Sequence, residues 1–514
     1  MESKEALTLK QDKLLRSRRI FLICALILIY CPFFYTDMIG NYVGDTAIQI
    51  RIGLDSLANG NLIPKEIYSW HEGLNWWPHE TGWYFIVAIF YKLFGLAGII
   101  GVCAIFNYGI AAIIFKRYSG RVHPLIIVAC AGAARLLSFP NYNARPHLFS
   151  ELCFLLVIYV MLSDKKESFK AIFFMAAAFL LAWIHGGMVP LLFVVYIVFA
   201  VIEAIYKEYK RAAIRLAVMA GAFVCTLLNP IGVGVWTYAL VQSEGEGVWA
   251  LNMEWAPKTF EIWEIAIILL VLIGFATSGK VRDFDKGAIT RLGLFCMFLI
   301  LSCKYCRFMN FTAMFIPALC MEEVQSLVIW VNDNVLRIRK DKVSFSSISY
   351  YILSGFCILF FVACTIFNIV NFIPSNTMSA ASAIAAYDEG VIDCLNQNGY
   401  KRIYNSFNTG TWLAFYGIPV HIDNRSDLYM ASFSGTDYIT DQMMINNISD
   451  MDEFVAKYDC DAIVLDLNPG TTDEYFADDL YNATDRYKVV YDNTVSSIYK
   501  ESITIRWMVV ECNG

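Results

Sequence analysis

Charge is what this chain has least of. Only 17% of its 514 residues are Asp, Glu, Lys or Arg, while 58% are hydrophobic, and the mean hydropathy is +0.51. Those values exclude an ordinary soluble globular protein. A basic stripe is missing too, so nucleic acid is not a plausible partner. A disulfide framework is absent. The 15 cysteines fall mostly inside apolar runs, as Cys24, Cys31, Cys130 and Cys225 do, where they act as small hydrophobes. Cys303 and Cys306 form a CxxC, but it lies in a hydrophobic segment with no second pair, which argues against a metal or redox centre. Cys394, Cys460 and Cys512, an odd number, suggest no pairing. The basic start (Lys10, Lys13, Arg16, Arg18, Arg19) leads into an apolar run from Ile20, yet no small-residue cleavage site follows Tyr35. That start therefore reads as a retained first span. The C-terminal part has no GxGxxG and no Walker loop, so a nucleotide site is not expected there.

What is present is blocked hydrophobicity. Between Ile20 and Phe372 apolar residues come in runs of membrane-spanning length, and after Ser375 such runs stop. Acidic and polar residues take over, among them Asp461, Asp466, Asp473 and Glu474, and they supply much of the net charge of −6. A bilayer core takes about 20 apolar residues per helix. Twelve candidate spans follow, at roughly 20–36, 82–94, 98–116, 122–139, 148–163, 169–184, 188–206, 212–228, 261–277, 290–304, 308–329 and 349–372. Basic clusters at Lys165/Lys166, Lys207/Lys210/Arg211, Lys280/Arg282/Lys286 and Arg337/Arg339/Lys340/Lys342, together with the N-terminal cluster over roughly 1–19, define a cytoplasmic face. The segment after the last span, 375–514, then lies outside. Twelve spans do not close that topology, because an odd total, 11 or 13, is required. The conflict sits between 82 and 139, where Lys116, Arg117 and Arg121 also look cytoplasmic. Either 82–98 is a broken or re-entrant pair, or that cluster defies the rule. The fold expected is a polytopic α-helical membrane protein with 11–13 transmembrane helices and a C-terminal extracytoplasmic α/β domain.

Two long outside loops remain, 36–80 and 229–263, and loops of that length between membrane helices usually carry function. The first contains Ala47, Ile50, Leu54 and Leu57 at helical spacing, which suits a helix lying on the membrane surface. In the C-terminal part, RIYNSF, PVHIDNR, CDAIVLDL and the pair YKVVYDN/SSIYKES look like strands. ISDMDEFVAKY looks like a helix opened by a Ser or Asp cap.

Several polar groups sit where they are expensive. Asp45, in Gly44-Asp45-Thr46, reads as a helix N-cap or as an interfacial carboxylate able to act as a general base. His71, Glu72, His79 and Glu80 lie together in WHEGLNWWPHE. They read as a metal or substrate cluster, or as polar members of an interfacial aromatic belt. Arg145-Pro146-His147 begins one span at its outside end, His185-Gly186-Gly187 follows Trp183 at another, and Arg307 and Asn310 mark a third. Snorkelling or an interhelical hydrogen bond explains any one of them. Their convergence on one face, the face that bears Asp45, suits a phosphate leaving group met by cations and a carboxylate.

The stretches GD45T, WPH79E80, R145PHLF, WIH185GG, LLN229PIG, ME254WAP, R307FMN310 and HID423NR425SD427LY, in that order, resemble the motifs of a broad bacterial family within the GT-C superfamily of membrane glycosyltransferases. His147 stands where that family usually has Gln, Ile184 where it has Leu and Asn424 where it has Gly, and the superfamily's usual acidic pair is a lone Asp45 here. The resemblance implies transfer of a sugar, hexosyl or pentosyl, from a polyprenyl-phosphate donor to an extracytoplasmic glycan, lipid or protein acceptor. It implies Asp45 as the base and His79, Glu80, Arg145, His147, His185, Arg307 and Asn310 as groups that bind donor or sugar. Asp423, Arg425 and Asp427 would meet the acceptor. A divalent metal is compatible with the superfamily. Rival readings are a lipid-linked sugar flippase or transporter, a glycan polymerase or ligase, and a non-catalytic membrane assembly protein. The absence of an internal repeat and the one-sided charges count against the transporter.

Overall fold

The computed structural model describes residues 4–32, 42–138, 144–243, 256–336, 346–372, 376–467, 477–497 and 504–513. The protein is a multi-pass membrane protein, mostly helical, with a small C-terminal mixed sheet. Helices form along the apolar runs, and glycine and proline mark several of their ends. Ala47–Asn59 (α2) stops at Gly60, whose φ of 66° is the left-handed conformation glycine adopts freely. The helix Pro124–Leu137 (α5) opens on a proline, whose missing N–H is unneeded in a first turn.

Each of the twelve expected segments falls on helix. They are, in order, α1 (Lys4–Ile29), α3 (Thr81–Phe94), α4 (Leu96–Tyr118), α5, α6 (His147–Met161), α7 (Glu167–Ile184), α8 (Val189–Ile205), α9 (Tyr209–Thr226), α11 (Ile262–Thr277), α12 (Lys286–Lys304), the pair α13 (Met309–Leu319) and α14 (Met321–Val331), and α15 (Ser347–Phe372). Gly234–Ser243 forms a further short helix, α10. Five of the described helices are long and apolar enough to cross a membrane, six if the pair bent by 66° at residue 320 is one span, and four shorter apolar helices accompany them. That count is by length and composition among the described residues.

Helix α3 begins beside the C-terminal domain, and its far end is held by the same part of the chain. Asn376, just after α15, accepts from Ala97 N at 2.7 Å and donates to the Phe94 carbonyl at 2.7 Å. Gly95, with φ 62°, turns the chain there, and a Cβ on Gly98 would fall on the Phe90 carbonyl. Both ends of α3 thus lie against one domain. Lys116, Arg117 and Arg121 sit at the far end of α4, where Gly120 approaches the Arg19 guanidinium. Some of the basic groups are joined through acids, while Arg337, Arg339, Lys340 and Lys342 lie outside the described residues. Arg215 reaches Glu167 at 2.6 Å and Glu203 at 3.0 Å, and Lys286 reaches Glu208 at 2.6 Å.

The C-terminal sheet runs β1 (Ile403–Asn405), β2 (Ala462–Leu467), β4 (Thr504–Cys512), β3 (Tyr487–Ser496), with β1 and β2 parallel and the other neighbours antiparallel. Helices Met378–Ile384 (α16), Glu389–Asn398 (α17), Phe407–Phe415 (α18) and Ile448–Tyr458 (α19) accompany it. Three expectations need correction. PVHIDNR is no strand: Val420 makes a single bridge to Ser69 in the first loop and the chain then turns. The partner of YKVVYDN begins at Thr504, and most of SSIYKES lies outside the described residues. The cap of α19 is Asn447, which accepts from Ser449 N at 2.9 Å and Asp450 N at 3.1 Å.

One face of this sheet packs on a core internal to the domain, with Tyr404, Phe454, Leu465 and Met508, and the other face shares its core with the rest of the chain. Tyr42, Ile50, Trp83 and Val87 from the first loop and α3 form one apolar cluster with Trp412, Val464 and Trp507. Helix α2 is therefore packed between α3 and the domain instead of lying on the membrane surface, because its apolar face meets protein on both sides. Gly53 permits that approach: a Cβ there would fall on the Tyr84 carbonyl oxygen and lie 2.5 Å from Ala88 Cβ. Gly53→Ala should cost about 1–3 kcal/mol through overpacking, read as a lower melting temperature by tryptophan fluorescence; an unchanged transition would refute this close contact.

Candidate functional site

A cavity of about 680 Å³ lies where the first loop, the ends of α6, α7, α8 and α12, and the C-terminal domain meet. Asp45, His79, Glu80, Arg145, His147, His185, Arg307 and Asn310 all line it, and so do Arg425 and Asp427. Residues 262 or more positions apart in sequence (Asp45 and Arg307) thus share one wall. Asp423 does not reach the cavity. It lies beneath Arg425, accepting from its Nη2 at 2.6 Å and Nε at 3.0 Å and from the Tyr429 hydroxyl at 3.0 Å. Glu254 of the motif ME254WAP lies outside the described residues.

Local structure explains each placement. Asp45 sits in an irregular turn that feeds α2, and its carboxylate forms an ion pair with Arg145. Gln49, one helical turn on, spans two partners: its Nε2 donates to Glu80 Oε2 at 3.0 Å, and its Oε1 accepts from the Trp83 indole at 3.0 Å. Glu80 is thereby aimed at two imidazoles, with His79 Nε2 at 3.6 Å and His185 Nε2 at 4.0 Å. His185 Nδ1 pairs with the Ser150 hydroxyl at 2.6 Å. Gly186 N donates to the His79 carbonyl at 2.8 Å, and a Cβ on Gly186 would stand 3.0 Å from that oxygen. The Gly-Gly after His185 is thus a demand of backbone approach. Asn229-Pro230-Ile231-Gly232 plays a structural part: the Asn229 amide donates to Gly232 O at 2.7 Å and closes the turn before α10.

His79 is stacked on Tyr238 with centroids 3.9 Å apart. Burial disfavours its charged form, but Glu80 and Asp427 outweigh that and raise its pKa above the ordinary histidine value. Burial raises the Asp427 carboxyl above the usual range, against the pull of His79 and Arg425. These shifts mark a charged, partly dry site of the kind that performs acid-base work.

The two His-Glu pairs of the first loop part company. His71 leaves the cavity and faces His421, Nε2 to Nδ1 at 2.9 Å, among Trp70, Tyr438 and Tyr458; Glu72 is exposed. Among the described residues no three His, Cys, Asp or Glu side chains are grouped to hold a metal ion. The donor set explains why. Arg145 occupies the Asp45 carboxylate and Gln49 one oxygen of Glu80. A resident divalent cation does not fit this arrangement.

Gln49, Trp76, Tyr84, Glu151, Tyr238, Asn408 and Asn424 also line the cavity and were missed by motif reading. Gln49 and Glu151 carried a signal, since each lies four residues, one helical turn, after a selected residue, Asp45 or His147. Glu66 was missed as well. It pairs with Arg425, whose guanidinium stacks over Tyr68 at 5.2 Å and Trp76 at 5.0 Å.

No family model matches the chain and no curated protein matches its sequence. Among solved structures it is similar to the oligosaccharyltransferase of Archaeoglobus fulgidus in three forms. Tethered to an acceptor peptide containing the NVT sequon, that protein gives a TM-score of 0.49 at 11% identity, over 92% of this chain and 72% of the other. The apo form gives 0.49 at 12% identity, over 93% and 73%. The complex of this enzyme, AglB, with an inhibitory peptide and a dolichol-phosphate gives 0.49 at 11%, over 95% and 73%.

Two outcomes test this geometry. Glu66→Ala leaves the buried Arg425 with one carboxylate instead of two; breaking such a pair costs about 3–5 kcal/mol, and the domain should become sensitive to protease well below the wild-type melting temperature. Unaltered resistance would mean that Glu66 does not fasten the loop. The second outcome concerns pH. Burial lowers His71 from 6.5 to about 3. A depressed folded pKa contributes stability that is full above 6.5 and is lost as pH falls toward 3. His71→Gln should therefore flatten the acid limb of melting temperature against pH, and an acid limb identical to wild type would contradict a buried neutral His71.

Proposed function

We propose that this protein is a membrane glycosyltransferase that moves a sugar from a polyprenyl-phosphate donor to an acceptor on the extracytoplasmic side. One observation carries the reading. Most of the polar groups singled out in the sequence converge on a single cavity, one wall of which, including Leu191, Val194, Leu301 and Phe308, is apolar and belongs to the helical layer. Such a cavity suits a ligand with a charged head and a hydrocarbon tail. The order of the eight sequence motifs supports the same class. In this reading 1–19 is a cytoplasmic segment, 20–372 the membrane domain and 375–514 an extracytoplasmic domain.

Arg145, Arg307, His147 and His185 would hold the donor phosphate, and Glu80 the sugar. Arg145 is paired with Asp45; a donor phosphate would compete for the guanidinium and leave the Asp45 carboxylate free to accept a proton. The acceptor hydroxyl oxygen then attacks the anomeric carbon. The new glycosidic C–O bond forms, the bond from that carbon to the phosphate oxygen breaks with its electron pair on the phosphate, and the hydroxyl proton passes to Asp45. The product is the glycosylated acceptor and polyprenyl phosphate, its charge stabilised by the cations.

The test uses the full chain in nanodiscs with a panel of polyprenyl-phosphate sugars. Asp45→Asn should lower donor turnover by about 10²–10⁴-fold, the usual contribution of a general base. Equal turnover in both proteins removes Asp45 as base. Movement of the intact lipid-linked sugar between leaflets without consumption would replace the transferase by a flippase.

A further inference from the structure

The cavity has walls of two characters. The cations a phosphate would use come from the helical layer: Arg145 and His147 at the start of α6, His185 after α7 and Arg307 after α12. The C-terminal domain contributes no spare cation. Its one arginine on the wall, Arg425, is already held by Asp423 at 2.6 Å and by Glu66. What the domain does contribute is hydrogen-bonding capacity. Asn408 is exposed at the first turn of α18, and Asn424, Ser426 and Asp427 line the same side.

Two acceptor atoms on this wall are unsatisfied. Asn424 Oδ1 and Asp427 Oδ2 are buried with no hydrogen-bond partner. Asp427 is only 6% exposed, and its nearest cation, His79 Nδ1, stands 4.0 Å away. Buried acceptors left unpaired cost free energy that a ligand donor recovers. Trp76 of the first loop, half-buried, lines the cavity as well, with the Arg425 guanidinium over its ring at 5.0 Å. Asn424 also borders the proposed base: a Cβ on Gly44, the residue before Asp45, would lie 3.8 Å from Asn424 Nδ2.

We infer that the domain wall is an acceptor subsite for a neutral carbohydrate, whose hydroxyls donate to Asn424 and Asp427, which brings one hydroxyl toward Asp45. The inference rests on the transferase reading for the word acceptor, but the binding itself does not. An anionic acceptor is disfavoured here, because the wall offers carboxyl oxygens and an arginine already neutralised by two carboxylates. The Asn that replaces the motif's usual Gly at position 424 supplies an amide that glycine lacks.

Binding without donor separates the two claims. The full chain in nanodiscs is exposed to methyl β-glucoside, methyl α-mannoside, methyl β-galactoside and methyl β-glucuronide, and binding is followed by saturation-transfer NMR. At least one neutral glycoside should bind more tightly than the glucuronide. Asn424→Ala should weaken it about tenfold, the loss of one ordinary hydrogen bond, with the melting temperature unchanged. Asn408→Ala, at an exposed position, should weaken it less and serves if Asn424→Ala fails to fold. Preference for the glucuronide, absence of signal from every neutral glycoside, or affinity unchanged by both variants would overturn the inference. Glycoside binding without any donor turnover would sink the transferase reading alone, and donor turnover onto a peptide without glycoside binding would sink this inference alone.

Discussion

The buried guanidinium of Arg425 is the interaction on which the site depends. It ties Asp423 of the C-terminal domain to Glu66 of the first loop and stacks on Tyr68 and Trp76 of that loop. An isolated buried charge would be intolerable, so each partner fixes the others. Its neighbours extend the tie. Trp70 donates its indole N–H to the Ile403 carbonyl at 3.0 Å, Val420 N donates to Tyr68 O at 2.9 Å, and Arg51 donates to the Phe415 carbonyl at 3.1 Å. The first loop is thus half in the domain and half on the helices, and it holds the one in register with the other.

That tie explains what the sequence made legible and what it hid. Charged residues at the edges of apolar runs were readable. The expense of charge there drew attention to Arg145 and Arg307 before any geometry was known, whereas Glu151, one helical turn after His147, was passed over. Helix α3 was left open between a span and a re-entrant segment for a physical reason. Fourteen mostly apolar residues look the same whether lipid or protein meets them, and only the structure shows Trp83 and Val87 packed with the C-terminal domain and Asn376 bonded to both sides of Gly95. Helix α2 failed similarly: its apolar face was real, but its partner is a domain more than 300 residues later in the chain.

The splitting of WHEGLNWWPHE shows the same limit at finer scale. Its two His-Glu pairs are eight residues apart and alike in composition. Gly73, with φ 74°, turns the chain between them, so His71 enters the aromatic cluster around His421 while His79 enters the cavity. Composition cannot register a turn that sends neighbouring residues to opposite sides of one loop. The strand expected at PVHIDNR went wrong for a related cause: its alternation was answered by one bridge to Ser69 rather than by a sheet, and Asp423 and Arg425 were committed to each other.

The ion pair of Asp45 and Arg145 sets the remaining constraint. A carboxylate held by a guanidinium is a poor proton acceptor, so the two roles assigned from sequence, base and phosphate ligand, conflict while the pair persists. They are reconciled only if a phosphate takes the arginine. In the proposed transfer, the anion bound first would also be what frees Asp45 from its arginine. Catalytic competence would be coupled to donor occupancy through one shared guanidinium, with no moving lid required.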